Sequence, residues 1–220
     1  MDLIHTAYEP AGSGPHPAIS AFHGWGANAL DLLGLAPYIA EGRCIVVCPQ
    51  GPIEVAIGPT RGFGWYQIRT GGAHDPAVLE ATSRAGAAFI DAAMERYPID
   101  PRKLILLGFS QGGSMAYRLA MTNPARFAAM VAISTWFAPE LKELATDRDA
   151  LTRLPTLIQH GRADEMVEIA RARASVDHLR ELKIPVTFRE YDCGHEITAE
   201  SLDDLSQFLM QKVVQPILTV

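Results

Sequence analysis

Short apolar runs rich in β-branched residues recur along this chain and alternate with helical periodicities, and no other property of the sequence restricts the fold as tightly. The runs cover residues 17–23, 43–49, 103–108, 127–133, 155–159 and 186–191, with a weaker one at 3–8. Strands that are apolar throughout and separated by helices are buried on both faces. The expected fold is therefore α/β, with a mostly parallel central sheet and helices on both of its faces. A chain of 220 residues is long enough to bury one core, so one domain spanning 1–220 is expected.

Three helices stand out between the strands. One starts at Asp75 as N-cap with Pro76 in its first turn, sets Val78, Ala81, Ala85, Phe89 and Ala92 on one stripe, and ends at Tyr97-Pro98. A second carries Ile169, Ala172, Val176, Leu179 and Leu182, and a third Leu202, Leu205, Leu209 and Val213. Residues 50–74 are rich in Gly and Pro with little periodicity, and read as a long excursion over the surface.

Charge narrows the partners. The net charge of -6 and pI near 5.6 provide no basic footprint for nucleic acid or an anionic membrane surface, so a small molecule is the expected partner. No apolar run reaches the ~20 residues that span a bilayer, and the first residues lack a basic leader, which reads as cytoplasmic and soluble. Cys44 and Cys48 fall on one face of a buried run. With Cys193 they read as packed free thiols rather than a disulfide or metal site.

The chemistry concentrates at residues 103–113, KLILLGFSQGG. A buried run leads into Gly108-Phe109-Ser110-Gln111-Gly112 and then into a helical stretch, which is the pattern of a nucleophile elbow. A hydroxyl is a poor nucleophile unless a sharp turn lifts it clear of the sheet, beside a base and at a helix N-terminus. In sheets that carry such an elbow, the acid and the histidine follow on loops after later strands. Asp164 comes after the run 155–159 and His195 after the run 186–191, so Ser110, Asp164 and His195 form the expected catalytic triad. Rivals exist in Glu165 and Asp192 for the acid, and in His23, His160 and His178 for the base. His23 and His160 each precede a glycine at a strand end, where bracing a loop is the favoured role. Cys193 lies off the elbow and reads as packing.

An anion that develops on a carbonyl oxygen needs preorganised backbone donors. One is expected from the amide of Gln111, directly after the nucleophile, and one from the loop His23-Gly24-Trp25-Gly26. With that loop, the chain resembles the phospholipase/carboxylesterase family of α/β hydrolases over nearly its full length. The matching pieces are residues 22–26, 49–66 ending in Gly64-Trp65-Tyr66, 108–113, 132–137, 160–167 and Gly194-His195. The resemblance implies an α/β-hydrolase fold, an esterase, lysophospholipase or acyl-protein thioesterase activity, and Trp25 and Gln111 as the oxyanion amides. The chain departs from the family pattern in having Trp25 where Leu is usual, Ala27-Asn28 where an Asp is usual, and Gln67 where Asp commonly follows a Trp-Phe pair.

Trp25, Trp65, Trp136, Phe137 and Met166 fall on loops at the expected carboxyl edge of the sheet and are expected to line an apolar acyl cleft. The expected activity is hydrolysis of short to medium acyl esters through an acyl-enzyme, with no cofactor and no metal, by a monomer or homodimer. The alternatives are deacylation of lipids or protein thioesters and, in a different class, a ligand-binding relative that does not turn over.

Overall fold

The computed structural model describes residues 3–68 and 75–215. The chain opens with strands His5–Tyr8 (β1), His16–Phe22 (β2) and Ile45–Pro49 (β3), then a hairpin of Ile53–Ile57 (β4) and Thr60–Gly64 (β5). Helix Pro76–Arg96 (α1), strand Ile99–Phe109 (β6), helix Gln111–Thr122 (α2) and strand Ala129–Ile133 (β7) follow. The short helix Arg148–Leu151 (α3), strand Thr156–Gly161 (β8), helix Ile169–Glu181 (α4), strand Val186–Tyr191 (β9) and helix Ala199–Leu209 (α5) complete it.

The main sheet has seven strands in the order β1-β3-β2-β6-β7-β8-β9. β1 runs antiparallel to β3 and all other pairings are parallel. This is the α/β-hydrolase arrangement, with helices on both faces. Alternation along β6 shows how one strand serves two cores: Leu104 and Leu106 point to one side, Ile105 and Leu107 to the other. On the first side pack α1, α2 and α4 through Ile90, Met115 and Leu179; on the second packs α5 through Leu205 and Leu209. Cys44 and Cys48 are buried free thiols in the second layer.

Sequence periodicity misplaces one face. In α1 the stripe Val78, Ala81, Ala85, Phe89, Ala92 does not turn inward as a set: Val78, Ala81 and Ala92 are exposed. The buried residues are Thr82, Ser83, Gly86, Phe89, Ile90 and Ala93. The helix is alanine-rich, so hydropathy marks neither face strongly. Close approach to Phe22, whose ring lies 3.3 Å from where a Gly86 Cβ would stand, selects the face with small side chains. Its cap is as expected, with Asp75 Oδ1 accepting the amides of Ala77 and Val78 at 3.0 and 3.4 Å.

The second correction concerns the excursion after β3. It contains the β4–β5 ribbon, with Ile53 opposite Gly64 and Ile57 opposite Thr60. Glycines in β5 conceal it from a strand pattern. They are needed because the ribbon lies against the loop after β2: Gly26 N–H donates to Phe63 O at 2.8 Å and Phe63 N–H to Ala27 O at 2.7 Å. A Cβ on Gly62 would stand 1.8 Å from the Gly26 carbonyl oxygen. Residues 69–74 of the excursion lie outside the described residues.

Candidate active site

Parallel strands β2, β6, β7, β8 and β9 deliver their carboxyl ends to one edge, and the turns that leave them carry the candidate residues. Ser110 follows β6 at φ 52°, ψ −118°, a conformation that L residues seldom adopt and that costs about 1–3 kcal/mol. The surroundings enforce it. Ser110 N–H donates to Ile133 O at 2.9 Å, and a Cβ on Gly112 would stand 1.9 Å from Phe22 O. The turn is thus locked between β2 and β7 with the serine at the head of α2.

Asp164 and His195 meet from separate loops. His195 Nδ1–H donates to Asp164 Oδ2 at 2.8 Å across 31 residues of sequence. The carboxylate is fully committed: Oδ1 accepts the amides of Met166 and Val167 at 2.9 and 2.8 Å. Asp164 is buried, while His195 is half-buried with its ring 5.0 Å, centroid to centroid, from that of Phe109, the residue before Ser110. The imidazole therefore stands beside the elbow, with its Nδ1 proton fixed by the acid.

None of the rivals makes the pairing of Asp164 with His195. Asp192 is exposed and paired with Arg162, and Glu165 is exposed. His178 lies half-buried on α4, where Lys142 Nζ donates to its Nδ1 at 3.0 Å. His23 is buried in a bracing position: Nδ1–H donates to Gly24 O at 2.7 Å and Nε2 accepts the Gly51 amide at 3.0 Å. Its pKa is held below the usual histidine value, chiefly by burial. His160 is likewise buried, with Nε2–H donating to Val167 O at 2.7 Å. Burial and nearby acids push the Cys193 thiol up, which suits a packed thiol and not a nucleophile.

The two amides expected as oxyanion donors lie in the turn after β6 and in the loop after β2. Gln111 is the first residue of α2, where an N–H has no carbonyl one turn back within the helix. Trp25 lies in the loop after β2. Its neighbours Gly26 and Ala27 donate to Phe63 and Gly24 carbonyls, whereas the Trp25 amide has no acceptor among the described residues. Gly24, just before it, sits against the elbow, where a Cβ on Gly24 would stand 3.4 Å from Ser110 Cβ.

The aromatic residues divide. Trp25 is half-buried, its indole against Gly64 of β5; Trp136 is half-buried under the Arg171 guanidinium at 4.7 Å; Met166 is exposed at the rim. Trp65 and Phe137 correct the expectation of a lined cleft, because both are buried in the core. Trp65 packs on Phe22 and His23 with Nε1–H donating to His23 O at 2.8 Å. Phe137 meets Tyr117 edge-on, and its amide donates to Ser175 Oγ at 2.7 Å. Loop position alone does not distinguish a residue under the loop from one on its surface.

One functional side chain has a role that the sequence does not disclose. The buried Gln111 amide group accepts the Trp65 amide at Oε1 (2.8 Å) and donates to Tyr66 O from Nε2 (2.7 Å). The elbow and the excursion are joined through it. A glutamine after the serine is the visible signal, yet nothing local in the sequence names its partners.

Comparison with known proteins bears on the chain as a whole. The phospholipase/carboxylesterase family model matches residues 5–213. Acyl-protein thioesterase 1 of Gibberella zeae is 26% identical over 202 residues, covering 87% of this chain and 85% of that protein. Acyl-protein thioesterase 1 of Mycosarcoma maydis is 28% identical over 244 residues, covering 97% and 99%. Among solved structures, esterase PE8 superposes with TM-score 0.81 at 24% identity, covering 97% of this chain and 100% of that one. Acyl-protein thioesterase 2 of Zea mays does so with TM-score 0.79 at 20% identity, covering 95% and 98%. At these identities the structural likeness bears on fold alone.

Proposed function

Since the chain belongs to the phospholipase/carboxylesterase family of hydrolases, we propose that it is a serine carboxylesterase acting on short to medium acyl esters through an acyl-enzyme, within one domain spanning 1–220. The observation that carries this reading is the 2.8 Å pair of His195 and Asp164 beside the strained elbow that presents Ser110.

In this mechanism Ser110 Oγ attacks the ester carbonyl carbon as its proton passes to His195 Nε2. Asp164 keeps the imidazole in the Nδ1–H tautomer and stabilises the imidazolium. The oxyanion is received by the amides of Trp25 and Gln111, each donor being worth ~10²–10³ in rate. Collapse breaks the bond to the leaving alcohol, which takes the proton from His195. Water then enters with His195 as base, and the same steps release the carboxylic acid and restore Ser110.

Preference for shorter acyl groups rests on Trp25, whose indole occupies the side of the loop nearest β5 where a smaller residue would leave room. The free thiols of Cys44, Cys48 and Cys193 suit a reducing cytoplasmic setting. Relatives named acyl-protein thioesterase favour thioester deacylation as a second reading, which the same acyl-enzyme would serve. Assays with p-nitrophenyl butyrate, p-nitrophenyl palmitate and a palmitoyl-cysteine peptide separate the two. Higher kcat/KM on butyrate is expected, and preference for the palmitoyl peptide would overturn the short-chain assignment. Labelling by a fluorophosphonate is expected at Ser110; a folded protein that stays unlabelled would point to a ligand-binding relative.

A further inference from the structure

Building on the reading of Asp164 and His195 as acid and base, we propose that His160 is a positioning residue that keeps the Asp164 carboxylate aligned with the His195 imidazole. His160 lies near the end of β8 with its side chain fully buried. Its Nε2–H donates to Val167 O at 2.7 Å, and the same nitrogen lies 3.3 Å from Asp164 Oδ2. The turn from Asp164 to Val167 is thereby held at both ends. Asp164 Oδ1 takes the Met166 and Val167 amides, and the Val167 carbonyl is fixed by the histidine.

Backbone contacts tie the loops after β8 and β9 to each other. Arg162 N–H donates to Tyr191 O at 2.8 Å and Ala163 N–H to Cys193 O at 3.0 Å. A Cβ on Gly161 would stand 2.2 Å from Gly194 O, so the loops after β8 and β9 are in backbone contact. What these contacts leave to the side chains is the alignment of the Asp164 carboxylate, whose Oδ1 takes two backbone amides and whose Oδ2 meets both His195 and His160. His160 sets it from beneath, with no access to a substrate.

Its protonation state fits that task. The groups facing the ring are Asp164 on its own turn, Val167 O, His195 from the loop after β9, and Glu190 on β9. Burial outweighs the two carboxylates and holds the pKa below the usual histidine value, so the ring is neutral at neutral pH. Nδ1 has no hydrogen-bond partner among the described residues. A neutral ring with its proton on Nε2 leaves only a lone pair unmatched there, which is tolerated better than a buried unpaired N–H.

The test compares His160→Leu, His160→Asn and His160→Gln on p-nitrophenyl butyrate over the pH range of activity, with circular dichroism to establish folding. Leucine removes the donor, asparagine is too short to reach, and glutamine presents an N–H near the place of Nε2. For Leu and Asn, kcat is expected to fall about 10²-fold with KM little changed, the scale for a catalytic group displaced by ~1 Å. The acid limb of kcat is expected to move to lower pH, because a carboxylate turned from the imidazole stabilises the imidazolium less. Glutamine is expected to recover most of both. Folded Leu and Asn variants with kcat and limb unchanged, or a Gln variant no better than they are, would overturn the proposal.

If the Leu and Asn variants do not fold, histidine-selective nitrogen NMR on the unmutated protein decides. The ring is expected neutral and protonated at Nε2 throughout the active range; a proton on Nδ1 or a charged ring there refutes the assignment. Fluorophosphonate reaction of the unmutated protein separates the two levels of inference. Absence of labelling at Ser110 refutes the triad itself, whereas a labelled enzyme indifferent to His160→Leu refutes only the positioning role.

Discussion

Gln111 Oε1 accepts the backbone amide of Trp65 at 2.8 Å, so the residue that follows the elbow serine also anchors a segment 46 positions away. With the second bond from Nε2 to Tyr66 O, one side chain satisfies a buried donor and a buried acceptor that no strand or helix provides for. Gln111→Leu removes both bonds. A loss of about 1–3 kcal/mol is expected in urea unfolding, with reduced kcat although the residue 111 amide is retained. Unaltered stability would show that the clamp contributes nothing.

Ser110→Ala is expected to lower kcat by at least ~10⁴-fold while leaving the unfolding midpoint nearly unchanged, since the hydroxyl contributes little packing. Ser110→Gly should abolish turnover as well, yet raise stability by about 1 kcal/mol by relieving the φ of 52°. Thermal denaturation of the pair separates the two effects, and a Gly variant less stable than the Ala variant would contradict the assignment of strain.

Asp164→Asn places an amide where the carboxylate accepts from His195 and two backbone N–H groups. A fall in kcat of about 10⁴-fold is expected, because the imidazole tautomer is no longer enforced. Activity within tenfold of the unmutated enzyme would return Glu165 to consideration as the acid.

Stability should decline in mild acid, before most carboxylates titrate. His23 and His160 both have pKa values held below the ordinary histidine value, chiefly by burial, so in this range the unfolded chain binds more protons than the folded one. The folded state is therefore favoured fully above the unfolded value of about 6.5 and loses ground as pH falls below it, at most ~1.4 kcal/mol per pH unit for each histidine. Urea midpoints that stay flat as the pH drops through that value would show that these rings ionise without cost.

Gly62→Ala should cost about 1–3 kcal/mol through the contact its Cβ makes with Gly26 O, and should depress kcat by displacing the loop that carries Trp25. The joint loss is the diagnostic result. Destabilisation with kcat intact would show that the ribbon and the loop are mechanically independent.

Much of this is legible in the residues themselves. Order along the chain locates the sheet, because apolar β-branched runs are buried on both faces wherever they fall, and the run 186–191 coincides with β9 to both ends. The elbow and the Asp164–His195 pair follow from chain order after β6, β8 and β9. What the sequence withholds are contacts between distant segments. The inward face of α1 depends on close packing of Gly86 against Phe22, and the β4–β5 ribbon is disguised by glycines that exist for a neighbour's backbone. Trp65 and Phe137 look like cleft residues in the sequence because hydropathy does not tell a loop's underside from its top.

The seam between the β4–β5 ribbon and residues 24–27 limits how this enzyme's gene can be edited. Side chains alternate across a ribbon, so adding or deleting one codon within β5 exchanges the positions of Gly62 and Phe63 and drives a side chain into the Gly26 carbonyl. The Gly58-Pro59 tip is exposed, and a Cβ on Gly58 would have nothing within 4 Å, so length is expected to vary more easily there. A tag or reporter is expected to be tolerated better at that tip than a few residues later, where it would disturb the Gly62 contact.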